Sequence, residues 1–139
     1  MPASRTLALL LAAAGLATGC GAAGSNSTTG FTGVKKDVAQ TVEDLESAAR
    51  SSDEGKICRD LLATTLIDTL RTADHKSCNS AISDALDDAD TFDLTVKTVT
   101  VTGTNATAVV DSKRRSTNDT FKLEKVGTRW KIASFGGTG

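Results

Sequence analysis

The sequence predicts an α+β domain, with helices first and a four-stranded antiparallel meander after them. Apolar residues recur every three or four positions between residues 34 and 90, which is the period of an α-helix. From residue 92 onward they alternate with polar residues, which is the period of a strand with one buried face. Helices that precede a run of strands pack together on one side of the sheet.

Three apolar stripes predict the helices. They cover residues 34–49, 57–70 and 78–89. The polar run 51–55 separates the first two stripes and is also suited to cap the second helix. Ser77 precedes the third stripe at an N-cap position.

Four strands follow, and the short links between them require antiparallel neighbours. The first strand begins at Phe92, and its alternation slips near Lys97 or Thr98, which predicts a β-bulge. The second strand covers residues 106–111, and a longer hairpin loop covers residues 113–118. Phe121 and Leu123 mark the third strand. In the fourth, the pattern places Trp130, Ile132 and Ser134 on one face and Lys131, Ala133 and Phe135 on the other.

Composition limits the possible functions. The chain of 139 residues has room for one domain and a targeting segment, and its net charge of −1 predicts no nucleic-acid partner. It has no tyrosine, one tryptophan and four phenylalanines, so the core must be mainly aliphatic. We expect no cofactor.

The first nineteen residues have the layout of a secretory signal. Arg5 is followed by an uncharged apolar run, Thr6 to Thr18, and by small residues up to Cys20. The run has about 13 residues, whereas a membrane-spanning helix needs about 20. A permanent transmembrane helix is therefore the weaker alternative.

The segment Ala17-Thr18-Gly19-Cys20 resembles the lipobox of bacterial lipoproteins, although leucine is commoner than alanine three places before the cysteine. The resemblance implies cleavage before Cys20, acyl chains such as palmitate on that residue, and a protein held by lipid on the extracytoplasmic face of the cell membrane. Residues 20–33 would then form the lipidated cysteine and a Gly/Ser/Thr-rich tether, with the domain at 34–139. The alternative is an ordinary signal peptide with an incidental cysteine.

If Cys20 carries lipid, Cys58 and Cys78 remain as an even pair in an oxidising compartment, and we expect a disulfide between them. The alternative is two buried thiols. A metal site is less favoured, because His75 is the single histidine and no C-x-x-C spacing occurs.

Residues 34–135 resemble the nuclear transport factor two-like superfamily in element order, in the cysteine pair before the sheet, and in the closing Trp130-Lys131-Ile132. The resemblance implies a cone-shaped sheet that wraps a long helix and often leaves a pocket. A cystatin-like layout is the alternative. The predicted pocket-lining residues are the inward members of the strands: Phe92, Leu94, Val96, Phe121, Leu123, Trp130 and Ile132.

No constellation for catalysis is evident in the sequence. There is no G-x-S-x-G motif, and His75 falls in a polar turn. Superfamily enzymes of the ketosteroid isomerase type pair a carboxylate base with tyrosines, which this chain lacks; Asp111 is the one strand acid that we would consider as a base. Two charged groups fit solvated surfaces better than calcium or anion sites: the acids Asp84, Asp87, Asp88, Asp90 and Asp93, and the bases Lys113, Arg114 and Arg115.

The leading hypothesis is a non-catalytic, lipid-anchored envelope protein that binds a small apolar ligand or a protein partner. A structural protein that forms homodimers through the exposed face of its sheet is the first alternative. An enzyme that uses a pocket carboxylate is the second.

Overall fold

In a computed structural model of the protein, residues 28–89, 92–112 and 117–136 are described. Four features predicted from the sequence lie outside those residues: the signal at 1–19, Cys20, Asp90 and the basic cluster at 113–115. No helix within the described ranges is both long enough and apolar enough to cross a membrane.

Helix α1 spans Gly33–Arg50 and confirms the first predicted stripe. The stripe residues from Val38 onward are buried, whereas Val34 in the first turn is 45% exposed. The residues before α1 were assigned to the tether, but part of them is held against the domain. The Thr28 N–H donates a hydrogen bond to Glu43 Oε1 at 2.6 Å, and Phe31 packs against the core.

The second predicted helix is divided, and the prediction of one continuous helix is wrong. The chain from 54 to 74 instead forms α2 (Glu54–Lys56), a π-helical turn (Ile57–Leu61) and α3 (Thr64–Asp74). Leu62 is extended and forms an isolated parallel bridge with Ile132, and the Ala63 N–H donates to the Ile132 carbonyl at 2.8 Å. Helical periodicity did not reveal the break, because Leu62 keeps its buried place while its backbone bonds to a strand.

Helix α4 spans Cys78–Asp87, and the capping predictions are confirmed. Ser77 accepts a hydrogen bond from the Ser80 N–H, and Asp53 accepts one from the Lys56 N–H at the start of α2. Cys58, in the π-helical turn, is bonded to Cys78, with the two Cα atoms 6.1 Å apart. The predicted disulfide is therefore present, and it joins the π-helical turn to the first residue of α4.

The four strands form one antiparallel sheet in the order β1-β2-β3-β4, as predicted. They are β1 (Leu94–Thr102), β2 (Asn105–Ser112), β3 (Thr117–Val126) and β4 (Arg129–Ser134). The predicted loop at 113–118 is too long, because Thr117 and Asn118 already belong to β3.

Two irregularities shift the strand registers. In β1, Val96 pairs with Val110 and Thr98 with Val109, so Lys97 is the extra residue of the predicted bulge. In β4, Ile132 pairs with Leu123 and Ser134 with Lys122, which leaves Ala133 as an extra residue. The second bulge was not predicted. It reverses the alternation beyond Ile132, so Phe135 reaches the inner face of the sheet and the predicted facing is wrong for Ser134 and Phe135.

The core lies between α1 and the inner face of the sheet. Its largest side chains with less than 2% exposure come from α1, the segment at 57–62 and the strands: Val38, Val42, Ile57, Leu62, Val110, Leu123 and Ile132. The outer face of the sheet is polar and carries many threonines. The α+β class and the meander are thus confirmed.

Removing the disulfide with Cys58→Ala and Cys78→Ala together should lower the free energy of unfolding by about 3 kcal/mol. The bond spans 20 residues of sequence, and closing a loop of that length restricts the unfolded chain. Urea denaturation of the oxidised wild type and of the double variant measures the difference. Equal midpoints and equal slopes would show that the bond contributes nothing to stability.

Candidate functional site

A cavity of about 320 Å³ opens at the end of the sheet where β1 begins and β2 ends. The carboxyl-terminal half of α1, helix α4 and the segment after β4 close its other sides. Its lining is mostly apolar: Leu45, Ala49, Ile57, Ile82, Ala85, Leu86, Ala89, Phe92, Leu94, Phe121, Phe135 and Gly136. Asp93, Ser112 and Asp119 add polar groups.

The seven predicted pocket-lining residues lie in two different places in the structure. Phe92, Leu94 and Phe121 line the cavity. The others are buried in the closed core: Val96, Leu123, Trp130 and Ile132. Helix α1 and the segment at 62–63 cover the middle of the sheet, so free volume remains at one end of it.

Helix α4 and the residues just after it supply a cavity wall that includes two alanines. Ala85 and Ala89 line the cavity beside Ile82 and Leu86, and among α4 residues the structure buries only Ala81 and Ile82. The main contacts of α4 are with α2, α3 and the π-helical turn rather than with the strands. Alanine at these positions leaves volume that a larger residue would fill. The sequence shows these alanines in the third stripe, but only the helix's position shows that they face free space.

Phe135 and Gly136 form the wall next to β3. The Phe135 ring stands edge-on to the Phe121 ring with centroids 5.2 Å apart, and Phe135 is 40% exposed. A Cβ atom placed on Gly136 would lie 2.0 Å from the Thr120 carbonyl oxygen. Glycine at this position therefore lets the chain pass against β3 and bring Phe135 over the cavity.

Asp119 is a cavity carboxylate that is not among the predicted site residues. It pairs with Val110 across the ladder and lies two residues before Phe121, so both side chains project from the inner face of β3. Period-two alternation counted back from Phe121 could have found it. The prediction of a long loop ending at Asn118 obscured that signal.

Arg50 fixes the segment that enters β1. Its Nε donates to the Phe92 carbonyl at 2.9 Å, and its Nη2 contacts Glu46 Oε1 at 2.5 Å and also pairs with Asp93 Oδ1. Phe92 and Asp93 both line the cavity. This single guanidinium therefore holds one cavity wall against the end of α1.

Glu46 is a charged residue in a buried place, with 8% of its surface exposed. Burial raises the pKa of its carboxyl above the usual 4.5, and this effect outweighs the opposing effects of Arg50 and of the Leu94 N–H, which donates to Glu46 Oε2 at 3.4 Å. The nearby charges of Asp93 and Glu43 raise the pKa further. Glu46 is not among the predicted site residues, although it lies four residues after Val42 and four before Arg50.

Asp111, the acid considered as a catalytic base, does not line the cavity. Its neighbour Val110 is buried on the inner face, so Asp111 projects from the outer face. Its Oδ2 lies 3.5 Å from Lys97 Nζ, and its side chain is 35% exposed. A pocket-carboxylate mechanism through Asp111 therefore has no geometric basis.

The remaining polar candidates lie on the surface. His75 is exposed and ends α3 in a left-handed conformation with φ 51°. Asp84 pairs with Lys76 at 2.5 Å, and Asp88 follows the last turn of α4. Within the part of the chain that the structure describes, no three His, Cys, Asp or Glu residues are grouped so that they could hold a metal ion.

No family model, no curated protein and no solved structure matches this chain. Function is therefore inferred from the chain's own residues and from the geometry of the cavity.

Substitution Glu46→Gln should change how stability depends on pH. Because the folded state raises the pKa of Glu46, it holds a proton that the unfolded chain releases as pH rises above about 4.5. The wild type should therefore lose stability relative to the variant as pH rises through the folded pKa, and the difference should become constant above it. Urea denaturation at a series of pH values measures both curves.

Arg50→Met serves as the companion variant for this prediction. It removes the cation that lowers the Glu46 pKa, so the window in which stability falls should extend to higher pH. Wild-type and Glu46→Gln curves that run parallel across the acid range would contradict the assignment.

Proposed function

We propose that this protein is an exported lipoprotein, anchored through Cys20 to the extracytoplasmic face of the membrane, that binds a small apolar ligand without catalysing a reaction. The cavity at the open end of the sheet is the observation that carries the ligand half of the proposal. The signal-like segment and the lipobox resemblance carry the anchoring half.

The size and chemistry of the cavity favour a small ligand. Its volume of about 320 Å³ falls at the lower end of the roughly 300–1,000 Å³ found for ligand sites, and most of its lining residues are apolar. The partly exposed Phe135 lies at its border, where its ring would contact a bound molecule. A single-chain compound fits this description better than a large ring system.

The proposed lipid anchor at Cys20 is consistent with the place where the chain enters the domain. The hydrogen bond between Thr28 and Glu43 leaves residues 21–27 as the link to Cys20. For a Gly/Ser/Thr-rich link of seven residues the expected reach is roughly 15 Å, taken as about 5–6 Å times the square root of the residue number. The domain would therefore stay close to the membrane surface.

We also propose the nuclear transport factor two-like superfamily as the fold family. The order of helices before an antiparallel meander, the long α1 against the sheet and the free volume at one end support it over a cystatin-like layout.

The homodimer hypothesis receives less support. The face of the sheet that such a dimer would use is rich in polar side chains: Thr95, Thr98, Thr100, Thr107, Asp111, Thr120 and Lys122. Stable homodimer interfaces are more apolar than this. A ligand in the cavity is therefore the function that we favour.

Substitution Ala85→Trp should block ligand uptake. Ala85 lies on the rim of the cavity, and an indole there would fill the space beside Phe135. Titration with the neutral apolar fluorophore N-phenyl-1-naphthylamine should show enhanced emission with wild type and at least roughly tenfold weaker binding to the variant. Ala73→Trp, on the exposed surface of α3, is the matched control and should bind as wild type does. Absence of binding to wild type, or equal loss in both variants, would refute the ligand half.

Substitution Cys20→Ala should remove the membrane anchor. We expect the intact mass of the wild type to exceed that of residues 20–139 by at least two acyl chains, because one chain holds a protein only marginally. The wild type should enter the detergent phase of a Triton X-114 extraction, and the variant should carry no acyl chain. Cys58→Ala with Cys78→Ala is the control and should keep the lipid. An unmodified Cys20 in the mature wild type, or a mature chain that starts elsewhere, would refute the anchoring half.

A further inference from the structure

We infer that the ligand of this cavity is an amphiphile with a cationic head group, and that Asp119 is the residue that receives the head group. This inference rests on the proposed function, because it names the chemical class of a ligand for the same cavity.

The described polar groups that line the cavity are acidic or neutral, and none of them is cationic. Asp93 and Asp119 contribute carboxylates and Ser112 contributes a hydroxyl, while none of the cavity-lining residues in the described ranges is Lys, Arg or His. A mostly apolar lining that includes carboxylates and no cation complements a molecule with an apolar body and a positive end.

The two carboxylates differ in their partners. Asp93 is paired with Arg50, which also contacts Glu46, so its charge is already compensated within the protein. No described residue pairs with the Asp119 carboxylate or donates a hydrogen bond to it. A ligand cation would therefore find its free acceptor at Asp119.

The position of Asp119 suits a head group at the mouth of the cavity. It is half-buried, faces inward opposite Val110, and lies on the same face of β3 as Phe121. Ser112 projects from the same inner face at the end of β2, one step diagonally from Asp119, at a distance of roughly 7–8 Å for such neighbours. An ammonium group between them would bond to both oxygens while its chain lies against Phe121, Leu94 and Leu86.

Three probes of matched chain length test the head group: decylammonium, decanol and decanoate. They are titrated by calorimetry, below their micelle concentrations, into the complete mature chain carrying Cys20→Ala. We expect decylammonium to bind on the order of tenfold more tightly than the other two, because a hydrogen bond to a charged group at a partly buried site is stronger than one between neutral groups. Asp119→Asn should abolish that preference, so that decylammonium binds no more tightly than decanol does.

Asp111→Asn is the matched control. It also removes one negative charge, but Asp111 lies on β2 and projects from the outer face of the sheet, away from the cavity. The variant should therefore keep the preference for decylammonium. The inference of a cationic head group is wrong if decanoate binds as tightly as decylammonium, or if the preference for decylammonium persists in Asp119→Asn. Neither result would contradict the proposed function, because an amphiphile would still bind in the cavity. If none of the three probes binds, the proposed function itself fails. Should Asp119→Asn not fold, the ranking of the three probes on wild type decides the question.

Discussion

Helix α4 is held over the inner face of the sheet by a covalent bond at its first residue. The Cys58–Cys78 disulfide fixes that end to the π-helical turn, which is itself joined to β4 through Leu62 and Ala63. The helix buries few side chains of its own and contacts other helices more than strands. The position of α4 therefore depends on the disulfide. The cavity depends on the position of α4 in turn, because Ala85 and Ala89 line the cavity only when the helix lies there.

The cavity results from the same composition that makes the core aliphatic. In the middle of the sheet, Leu62, Leu123 and Ile132 are almost fully buried in one cluster with the apolar residues of α1. At the end of the sheet the facing positions on α4 and just after it carry Ala85 and Ala89, and the strands offer no tyrosine to fill the gap. Phe135 covers part of the opening because a single extra residue in β4 turns it inward. The Arg50 guanidinium holds the opposite wall at Phe92.

Much of the fold could be predicted from local patterns. The stripe of α1, the Ser77 and Asp53 caps, the strand order and the bulge at Lys97 all follow from periods of 3.6 and 2 and from capping chemistry. The break at Leu62 could not be predicted, because it arises from a hydrogen bond between Ala63 and Ile132, which are far apart in the sequence. The facing of Phe135 failed for a similar reason, since a bulge at Ala133 has no clear signature in a run of small residues. The candidate site was the least predictable part: residues on strands were identified, but whether they face a filled or an empty space depends on where α1 and α4 lie.

The bulge at Lys97 has a consequence for how copies of this chain behave at high density. β1 is an edge strand of an open sheet, and its sequence from Thr98 to Thr102 is made entirely of β-branched residues, which favour intermolecular strand pairing. The extra residue interrupts the spacing of backbone groups along that edge, and Lys97 places a charge there that Asp111 holds near the strand. A second copy that paired with this edge would meet an interrupted register and a charged side chain at Lys97, and both disfavour extension of the sheet by another chain.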